Sequence, residues 1–157
     1  MILKKNISIF LIIIFSFTLL SCNKKIKKYK DLNEVLYENI LKQEPNEYMI
    51  FVISNTCAAC EELESLICKY ANVAKTNNLP QIYCLNLSNN QSNSLIINED
   101  DSAYGYFVGT TNYLDVKISQ TPALLIVKDG KIDTFISSKV TSTPKNDIKE
   151  YIEKLIQ

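Results

Sequence analysis

Apolar runs and helically spaced apolar residues alternate along the middle of the chain. Residues 48–53 are apolar throughout, which is typical of a strand covered on both faces of a sheet. Residues 61–75 place their apolar side chains on one side of a helix, and residues 81–87 are again rich in apolar side chains. A strand, a crossover helix and a second strand predict two parallel strands with a right-handed connection.

A second group of elements follows towards the C-terminus. Residues 123–127 predict a strand, and residues 132–136 predict its antiparallel partner, because the Asp-Gly pair between them supplies the positive φ angles of a tight turn. A last helix is predicted from Pro144, with Thr143 as its N-cap.

Three further segments complete the pattern. Residues 31–41 predict a helix with Asp31 as its N-cap, residues 95–97 a short extended piece, and residues 100–108 a short helix. The chain of 157 residues is long enough for one domain with a hydrophobic core. The elements together predict an α/β fold, a central mixed sheet of about four strands with helices on both faces.

The N-terminus has the pattern of an export signal. Lys4 and Lys5 precede residues 7–20, an apolar run that is too short for a comfortable membrane span. The run ends in Leu-Leu-Ser-Cys at Cys22, which resembles the lipobox of bacterial lipoproteins. In that family the cysteine receives a diacylglycerol and becomes the first residue of the mature chain, which makes residues 1–21 a lipoprotein signal peptide. A plain signal peptide and an uncleaved anchor are the alternatives.

Residues 22–30 are predicted to be a lipidated basic tether, followed by a folded domain over residues 31–157. The tether carries lysines that we expect to lie against anionic headgroups, namely Lys24, Lys25, Lys27, Lys28 and Lys30. A solvated spacer is the alternative, and it is compatible with the first. We therefore expect an extracytoplasmic chain that is lipid-anchored to the bacterial cell membrane.

The composition excludes several kinds of site. The chain has no histidine, which excludes Ser-His and Cys-His nucleophile pairs and histidine metal sites. With 3 glycines it has no dinucleotide fingerprint, and 17 basic against 17 acidic residues leave no strongly basic surface for nucleic acid. We expect no cofactor, no bound metal and no nucleic-acid partner.

Two cysteines lie where the first apolar strand turns into the helix. Cys57 and Cys60 are separated by two alanines, and such a pair at a helix N-terminus is a candidate redox site because unpaired N–H groups there favour a thiolate. A structural disulfide is one alternative, although so short a loop constrains the chain little. Half of a zinc site is another, although Cys68 and Cys84 would complete it at unusual spacings.

With these elements in place, the chain resembles the thioredoxin-like family over about residues 31–157. The motifs that carry the resemblance are the CxxC that opens a helix, the Ile-Ser-Gln-Thr-Pro stretch ending at Pro122, and the Lys-Asp-Gly-Lys hairpin. It is also loosely similar to the bacteriocin-transport accessory proteins of Gram-positive bacteria. The resemblance implies that Pro122 is a cis-proline facing the cysteines and that the backbone of Thr121 pairs with a substrate segment. Thr56 is a further substrate-contacting candidate.

The chain departs from thioredoxin in three ways. Ala-Ala replaces Gly-Pro between the cysteines, and Thr56 stands where thioredoxin has a tryptophan. Phe51 and Cys84 replace the buried acidic residue and the lysine that assist proton transfer in that family. These differences affect the expected rate and reduction potential rather than the expected fold.

The residues together predict a thiol-disulfide oxidoreductase that acts on exported proteins. Cys57 is expected to attack a substrate disulfide, and Cys60 to resolve the mixed disulfide. The absence of a histidine between the cysteines, with Glu61 and Glu62 close by, predicts a moderately reducing pair. We expect a monomer whose partners are protein disulfides or thiols and a redox partner protein.

The sequence leaves two questions open, each with two answers. Cys68 and Cys84 are either buried free thiols or a second bridge. The domain is either an enzyme or a redox-inactive accessory module of an export or secretion system. In the second case an aromatic cluster would supply the partner surface, unless it packs around the sheet edge: Tyr104, Tyr106, Phe107 and Tyr113.

Overall fold

A four-stranded mixed sheet forms the centre of the molecule. The computed structural model describes residues 25–89, 106–118, 120–137 and 144–157. The strands are β1 Glu47–Ile53, β2 Gln81–Asn86, β3 Ala123–Lys128 and β4 Lys131–Ser137, in the order β2-β1-β3-β4. The β1–β2 pair is parallel, and the other two pairs are antiparallel. This strand order, with a crossover helix between β1 and β2, is the thioredoxin-like fold expected from the sequence.

Two α-helices pack on one face of this sheet. Helix α1 spans Ala58–Asn77 and helix α2 spans Pro144–Leu155. Helix α1 begins directly after Cys57, as expected for a CxxC pair that opens a helix, and the side chain of Cys57 caps its first turn. It ends where Asn78 adopts a left-handed conformation, with φ 54°.

The side chains of β1 alternate between two hydrophobic clusters. Met49, Phe51 and Ile53 point towards the α-helices, and the intervening side chains point to the opposite face. In the described residues, short 3-10 helices and extended segments cover that opposite face, with the buried side chains of Tyr37, Ile40, Phe107, Val116 and Ile118. Burial on both faces explains why β1 has no polar residue after Glu47.

The predicted helix over residues 31–41 is wrong. The segment contains the end of one 3-10 helix, Tyr29–Asp31, and a second 3-10 helix, Tyr37–Asn39, so Asp31 ends a helix rather than capping one. Between them, the N–H of Val35 donates to the carbonyl of Cys84 (2.9 Å) and the N–H of Cys84 donates to the carbonyl of Asn33 (3.0 Å). The open edge of β2 therefore captures this segment, and pairing with the edge outweighs its helical spacing.

The packed part of the chain begins before the predicted domain boundary at residue 31. Ile26 is 6% exposed and belongs to the core beneath α1. Its N–H donates to the side-chain oxygen of Asn72 (2.9 Å), and its carbonyl accepts from the Asn72 side-chain amide (2.8 Å). Lys28 forms an ion pair with Glu64 at 2.9 Å. We call Ile26–Lys30 the N-terminal clasp, and it lies along α1.

The predicted hairpin is confirmed. Asp129 and Gly130 have φ angles of 50° and 72°, and they join β3 to β4. The predictions for residues 95–97, for most of residues 100–108, for Thr143 as an N-cap, and for Cys22 and Lys24 fall outside the described residues. Among the helices that are described, none is both long enough and apolar enough to cross a membrane.

Candidate redox site

Cys57 and Cys60 form a disulfide at the start of α1. Their sulfur atoms are 2.08 Å apart and their Cα atoms 5.2 Å apart. Cys57 is the N-cap residue, with extended backbone angles, and its sulfur accepts a hydrogen bond from the N–H of Cys60 at 3.1 Å. The sharp turn from β1 into α1 therefore presents the first cysteine ahead of the helix, at the positive end of the helix dipole.

The two cysteines differ in exposure. Cys57 is half-buried, whereas Cys60 is 2% exposed and belongs to the hydrophobic core. Once the pair is reduced, the sulfur of Cys57 is the one that can reach another molecule. The hydrogen bond from Cys60 and the helix N-terminus both favour the thiolate form of Cys57.

Thr121 and Pro122 lie at the same end of β1 as the cysteine pair. The peptide bond between them is cis, as the resemblance implied. Val52 pairs with Ala123, so the two preceding residues lie beside the end of β1. The hydroxyl of Thr121 is 3.2 Å from the hydroxyl of Ser54, which ties this loop to the segment that leads to Cys57.

Thr56, the remaining predicted substrate residue, is exposed in the turn between β1 and α1. Pro122 is buried and Thr121 is half-buried. All five predicted residues of the redox site are therefore within the described part of the chain, around one end of the sheet: Cys57, Cys60, Thr56, Thr121 and Pro122. Cys22, the predicted lipidation site, is outside it.

Phe51 and Cys84 face each other across the β1–β2 pair beneath the disulfide. Both are buried, and the ring of Tyr29 lies 5.5 Å from the ring of Phe51. Burial, with a smaller contribution from the nearby Glu34 carboxylate, raises the pKa of the Cys84 thiol to about 12. The two positions to which the resemblance assigns an acidic residue and a lysine are thus occupied by the ring of Phe51 and the neutral thiol of Cys84.

Cys68 and Cys84 are free thiols in the structure, not a second bridge. Burial also raises the pKa of Cys68, to about 11, with a contribution from Glu64. Both thiols are therefore protonated and sheltered near neutral pH. Within the described residues, no group of three or more histidine, cysteine, aspartate or glutamate side chains could hold a metal ion.

A cavity of about 340 Å³ opens beside the disulfide, on the β2 side of β1. Its wall includes both redox cysteines and Cys84, together with Tyr29 and Glu34 from the N-terminal part of the chain. The hydroxyl of Tyr29 donates a hydrogen bond to the carbonyl of Cys60. Burial raises the pKa of Tyr29, which keeps this hydroxyl protonated. Sequence reasoning missed Tyr29 and Glu34, because a helix over residues 31–41 gives no reason to place either beside the pair.

The aromatic cluster considered as a partner surface divides in two. Phe107 is 2% exposed and contacts the ring of Phe135, so it belongs to the core. Tyr113 is half-buried and meets Tyr37 edge-on, with ring centroids 5.3 Å apart. Tyr106 is 54% exposed. Tyr104 lies outside the described residues.

Several solved structures resemble this chain at low sequence identity. No protein-family model and no curated protein matches the chain. The solved structures that it resembles include oxidised mitochondrial thioredoxin 3 from Saccharomyces cerevisiae, with 13% identity, a TM-score of 0.49, and coverage of 81% of this chain and 98% of that one.

Two more solved structures have similar scores. A structure from work on thiol resolution in yeast mitochondrial 1-Cys peroxiredoxin by the glutathione/thioredoxin systems has 13% identity and a TM-score of 0.49, covering 82% of this chain and 99% of that one. A thioredoxin variant from Halobacterium salinarum has 15% identity and a TM-score of 0.45, covering 80% and 88%. The fold assignment rests on the strand order and helix placement of the chain itself.

Proposed function

We propose that this chain is a thiol-disulfide oxidoreductase of the thioredoxin type that works outside the cytoplasm, tethered to the membrane by a lipid on Cys22. One observation carries the enzymatic part of the proposal. Cys57 is half-buried at a helix N-terminus, and its sulfur accepts a hydrogen bond from the N–H of Cys60, which is itself buried. This asymmetry suits a nucleophile and a resolving thiol.

The reaction proceeds in two exchanges. The Cys57 thiolate attacks one sulfur of a substrate disulfide, the substrate bond breaks, and the second substrate sulfur leaves as a thiolate that takes up a proton. Cys60 then attacks the sulfur of Cys57 and releases the first substrate sulfur. Two electrons pass from the protein dithiol to the substrate disulfide, and the 57–60 bridge is formed. The reverse sequence oxidises a substrate dithiol.

We favour the reducing direction. Two alanines separate the cysteines, so no imidazolium stands there to stabilise the Cys57 thiolate. Glu61 in the first turn of α1 and Glu62 directly after it add negative charge, which disfavours the thiolate and favours the disulfide. A pair whose bridge is favoured gives up its electrons readily.

The substrates are exported proteins that present a disulfide on an extended segment. Thr121 and Pro122 lie at the same end of β1 as Cys57, which supports a backbone contact between Thr121 and such a segment. Thr56 is exposed next to Cys57 and is placed for a second contact. Lys25, Lys27 and Lys30 are exposed and available to anionic headgroups, whereas Lys28 is engaged with Glu64.

Trapping of mixed disulfides tests the enzyme directly. A Cys60→Ala variant, expressed in the native host, is expected to accumulate covalent complexes through Cys57 that mass spectrometry identifies after non-reducing separation. Cys57→Ser/Cys60→Ala is the matched control, and its complexes should vanish. Purified wild-type protein should reduce insulin with dithiothreitol as electron donor, and Cys57→Ser should not. An absence of both trapped complexes and insulin reduction rejects the enzyme.

The direction is tested by equilibration with a glutathione redox series. We expect a reduction potential nearer to about −270 mV than to about −120 mV, the values typical of a reductant and of a strong oxidant of this fold. A value close to the second would reverse the assigned direction while leaving the exchange chemistry in place.

The anchor is tested separately. The wild-type protein is expected to enter the detergent phase of a Triton X-114 separation and to take up radiolabelled palmitate, and Cys22→Ala is expected to do neither. Cys68→Ala provides a matched cysteine control that should still label. Equal labelling of the wild-type and Cys22→Ala proteins would exclude lipidation at Cys22.

A redox-inactive accessory module is the second candidate function. Four large apolar side chains are exposed in the described residues, and they favour a partner surface: Leu36, Tyr106, Val108 and Leu114, at 52%, 54%, 46% and 51%. Complementation in the native host separates the two functions. Cys57→Ser should lose activity if the chain is an enzyme, and it should retain activity if the chain is a binding module.

A further inference from the structure

We propose that Glu34 accepts the proton of Cys60 in the second exchange, through the cavity beside the pair. This inference rests on the proposed oxidoreductase function. Cys60 must become a thiolate before it can attack the mixed disulfide, yet its side chain is 2% exposed. Burial disfavours the charged form of a thiol, so the proton needs an acceptor close by.

The strand beneath the pair offers no such acceptor. On the helix-facing side of β1 the residues are Met49, Phe51 and Ile53, all apolar and buried. Cys84, which faces Phe51 from β2, has a pKa raised to about 12 and therefore holds its own proton. The acceptor must therefore come from outside the sheet.

The cavity beside the disulfide supplies one. Its titratable lining groups besides the redox pair are Tyr29, Lys30, Glu34, Glu61 and Cys84. A tyrosine hydroxyl and a lysine ammonium are donors near neutral pH, and Cys84 is a neutral thiol. Only the two carboxylates can accept a proton there. The cavity volume of about 340 Å³ has room for several water molecules, which can connect a carboxylate to Cys60.

Of the two carboxylates, Glu34 is the one held in place by contacts across the fold. Its side chain accepts a hydrogen bond from the Asn89 amide at 3.0 Å. Its backbone neighbours, Asn33 and Val35, are hydrogen-bonded to both sides of Cys84, which fixes this residue against β2. Glu34 also acts electrostatically on the cavity, because it raises the pKa of Cys84.

The position of Glu34 leaves the substrate side free. Thr121 and Pro122 flank β1 on the β3 side, whereas the cavity flanks β1 on the β2 side. A substrate bound at Pro122 would therefore approach Cys57 from the other side of β1. The transfer also conserves charge, because a carboxylate and a thiol become a carboxylic acid and a thiolate.

The second exchange conserves atoms and electrons. In the mixed disulfide, the carboxylate of Glu34 takes the proton of Cys60 through water, and the Cys60 sulfur attacks the sulfur of Cys57. The bond from Cys57 to the substrate sulfur breaks, and its electron pair leaves with the substrate thiolate. The thiolate takes a proton from solvent, and Glu34 returns its proton to solvent. The products are the 57–60 disulfide and the reduced substrate.

The test is a rapid-mixing measurement on the full-length protein, with oxidised glutathione as the probe. The first, bimolecular phase reports the attack by Cys57, and the second, unimolecular phase reports resolution by Cys60. Glu34→Gln is expected to slow the second phase about 100-fold at pH 7, at the lower end of typical general-base effects, and to leave the first phase unchanged. The deficit should shrink as the pH rises, because hydroxide replaces the missing base.

Three further variants decide between Glu34 and a merely structural effect. Glu34→Asp should recover part of the second-phase rate. Glu38→Gln changes an exposed residue on the same segment and should resolve at the wild-type rate. The second-phase rate of Glu61→Gln should stay within about threefold of the wild-type rate, since removal of a general base slows a reaction by a larger factor. The proposal is overturned if Glu34→Gln resolves at the wild-type rate at every pH, or if the large loss belongs to Glu61→Gln. If wild-type protein shows neither phase, the oxidoreductase function itself fails, and this inference fails with it.

Discussion

The hydroxyl of Tyr29 donates a hydrogen bond to the backbone carbonyl of Cys60, which lies 31 positions further along the chain. The Tyr29 ring also packs 5.5 Å from that of Phe51. The N-terminal clasp therefore supports the first turn of the redox helix directly. A segment predicted to be a basic tether is thus part of the candidate site.

Substitutions at Tyr29 should separate its hydrogen bond from its ring packing. Tyr29→Phe removes one hydrogen bond and is expected to lower the free energy of unfolding by about 1 kcal/mol. Tyr29→Ala also removes the ring and is expected to cost about 3 kcal/mol. Urea unfolding followed by circular dichroism measures both. Equal losses in the two variants would show that the ring contact contributes nothing.

Asn72 should control the local opening of the N-terminal clasp. Its side chain satisfies both backbone groups of Ile26, so Asn72→Ala leaves them without these partners and is expected to cost about 1 to 3 kcal/mol. Brief trypsin digestion should then cleave faster after Lys27 and Lys28 than in the wild-type protein. Lys69→Ala, an exposed change on the same helix, is the control and should leave the cleavage rate unchanged. Unaltered cleavage in Asn72→Ala would mean that other contacts hold the clasp.

The two buried thiols predict a fall in stability at alkaline pH. The pKa values of Cys68 and Cys84 are about 11 and about 12, against an ordinary value of 9.0. As the pH rises above about 9, the unfolded chain releases these protons first, and the free energy of unfolding falls by up to about 1.4 kcal/mol per pH unit for each thiol. Below about pH 9 both thiols are protonated in the folded and the unfolded chain, so they do not make the free energy of unfolding depend on pH. Urea unfolding between pH 7 and pH 11 should therefore show a shallower decline in Cys68→Ala/Cys84→Ala than in the wild-type protein.

The same burial predicts selective alkylation. In reduced, folded protein at pH 8, iodoacetamide is expected to modify Cys57 within minutes and to leave Cys68 and Cys84 unmodified until urea is added. Peptide mass spectrometry after timed quenching assigns each site. Rapid labelling of either buried thiol in the folded protein would contradict its sheltered position.

Replacing Gly130 in the β3–β4 turn should lower the free energy of unfolding through backbone conformation. Gly130 has φ 72°, and an added Cβ atom would lie 3.9 Å from the carbonyl oxygen of Leu41, an ordinary contact. Gly130→Ala should therefore lower the free energy of unfolding by about 1 kcal/mol through backbone strain alone. Gly130→Asn should lose less, because asparagine tolerates this conformation better. Thermal or urea unfolding of both variants measures the difference, and a larger loss for Asn would refute the explanation.

The strands and the redox pair could be predicted from local pattern. Residues 48–53 are apolar because both faces of β1 are covered, and the Asp-Gly turn fixes the hairpin that follows. The CxxC motif lies where such a strand meets a helix, so Cys57 and Cys60 were found without any tertiary information. The cis bond before Pro122 and the substrate-pairing role of Thr121 needed the resemblance, since nothing local indicates either.

The N-terminal part of the chain could not be predicted in the same way. Residues 31–41 have helical spacing, but Asn33 and Val35 hydrogen-bond to Cys84, a residue far along the chain on the open edge of β2. Ile26 is followed by lysines, so the local pattern does not indicate that its side chain is buried. Its backbone is held by the side chain of Asn72, a contact that the sequence does not reveal. Both differences have one cause, because long-range hydrogen bonds to the backbone of this segment outweighed its local pattern. They also hid Tyr29 and Glu34, two of the cavity residues that this segment contributes.

The burial of Ile26 determines how far the domain can travel from its proposed anchor. If Cys22 carries the lipid, residues 23–25 are all that separates the acylated residue from Ile26, the first buried side chain in the described residues. Fully extended, the step from Cys22 to Ile26 spans at most about 14 Å. The redox face would then work within a thin layer above the bilayer, and substrates would have to be presented close to the membrane surface. Inserting a flexible spacer after Asn23 should widen the range of trapped substrates.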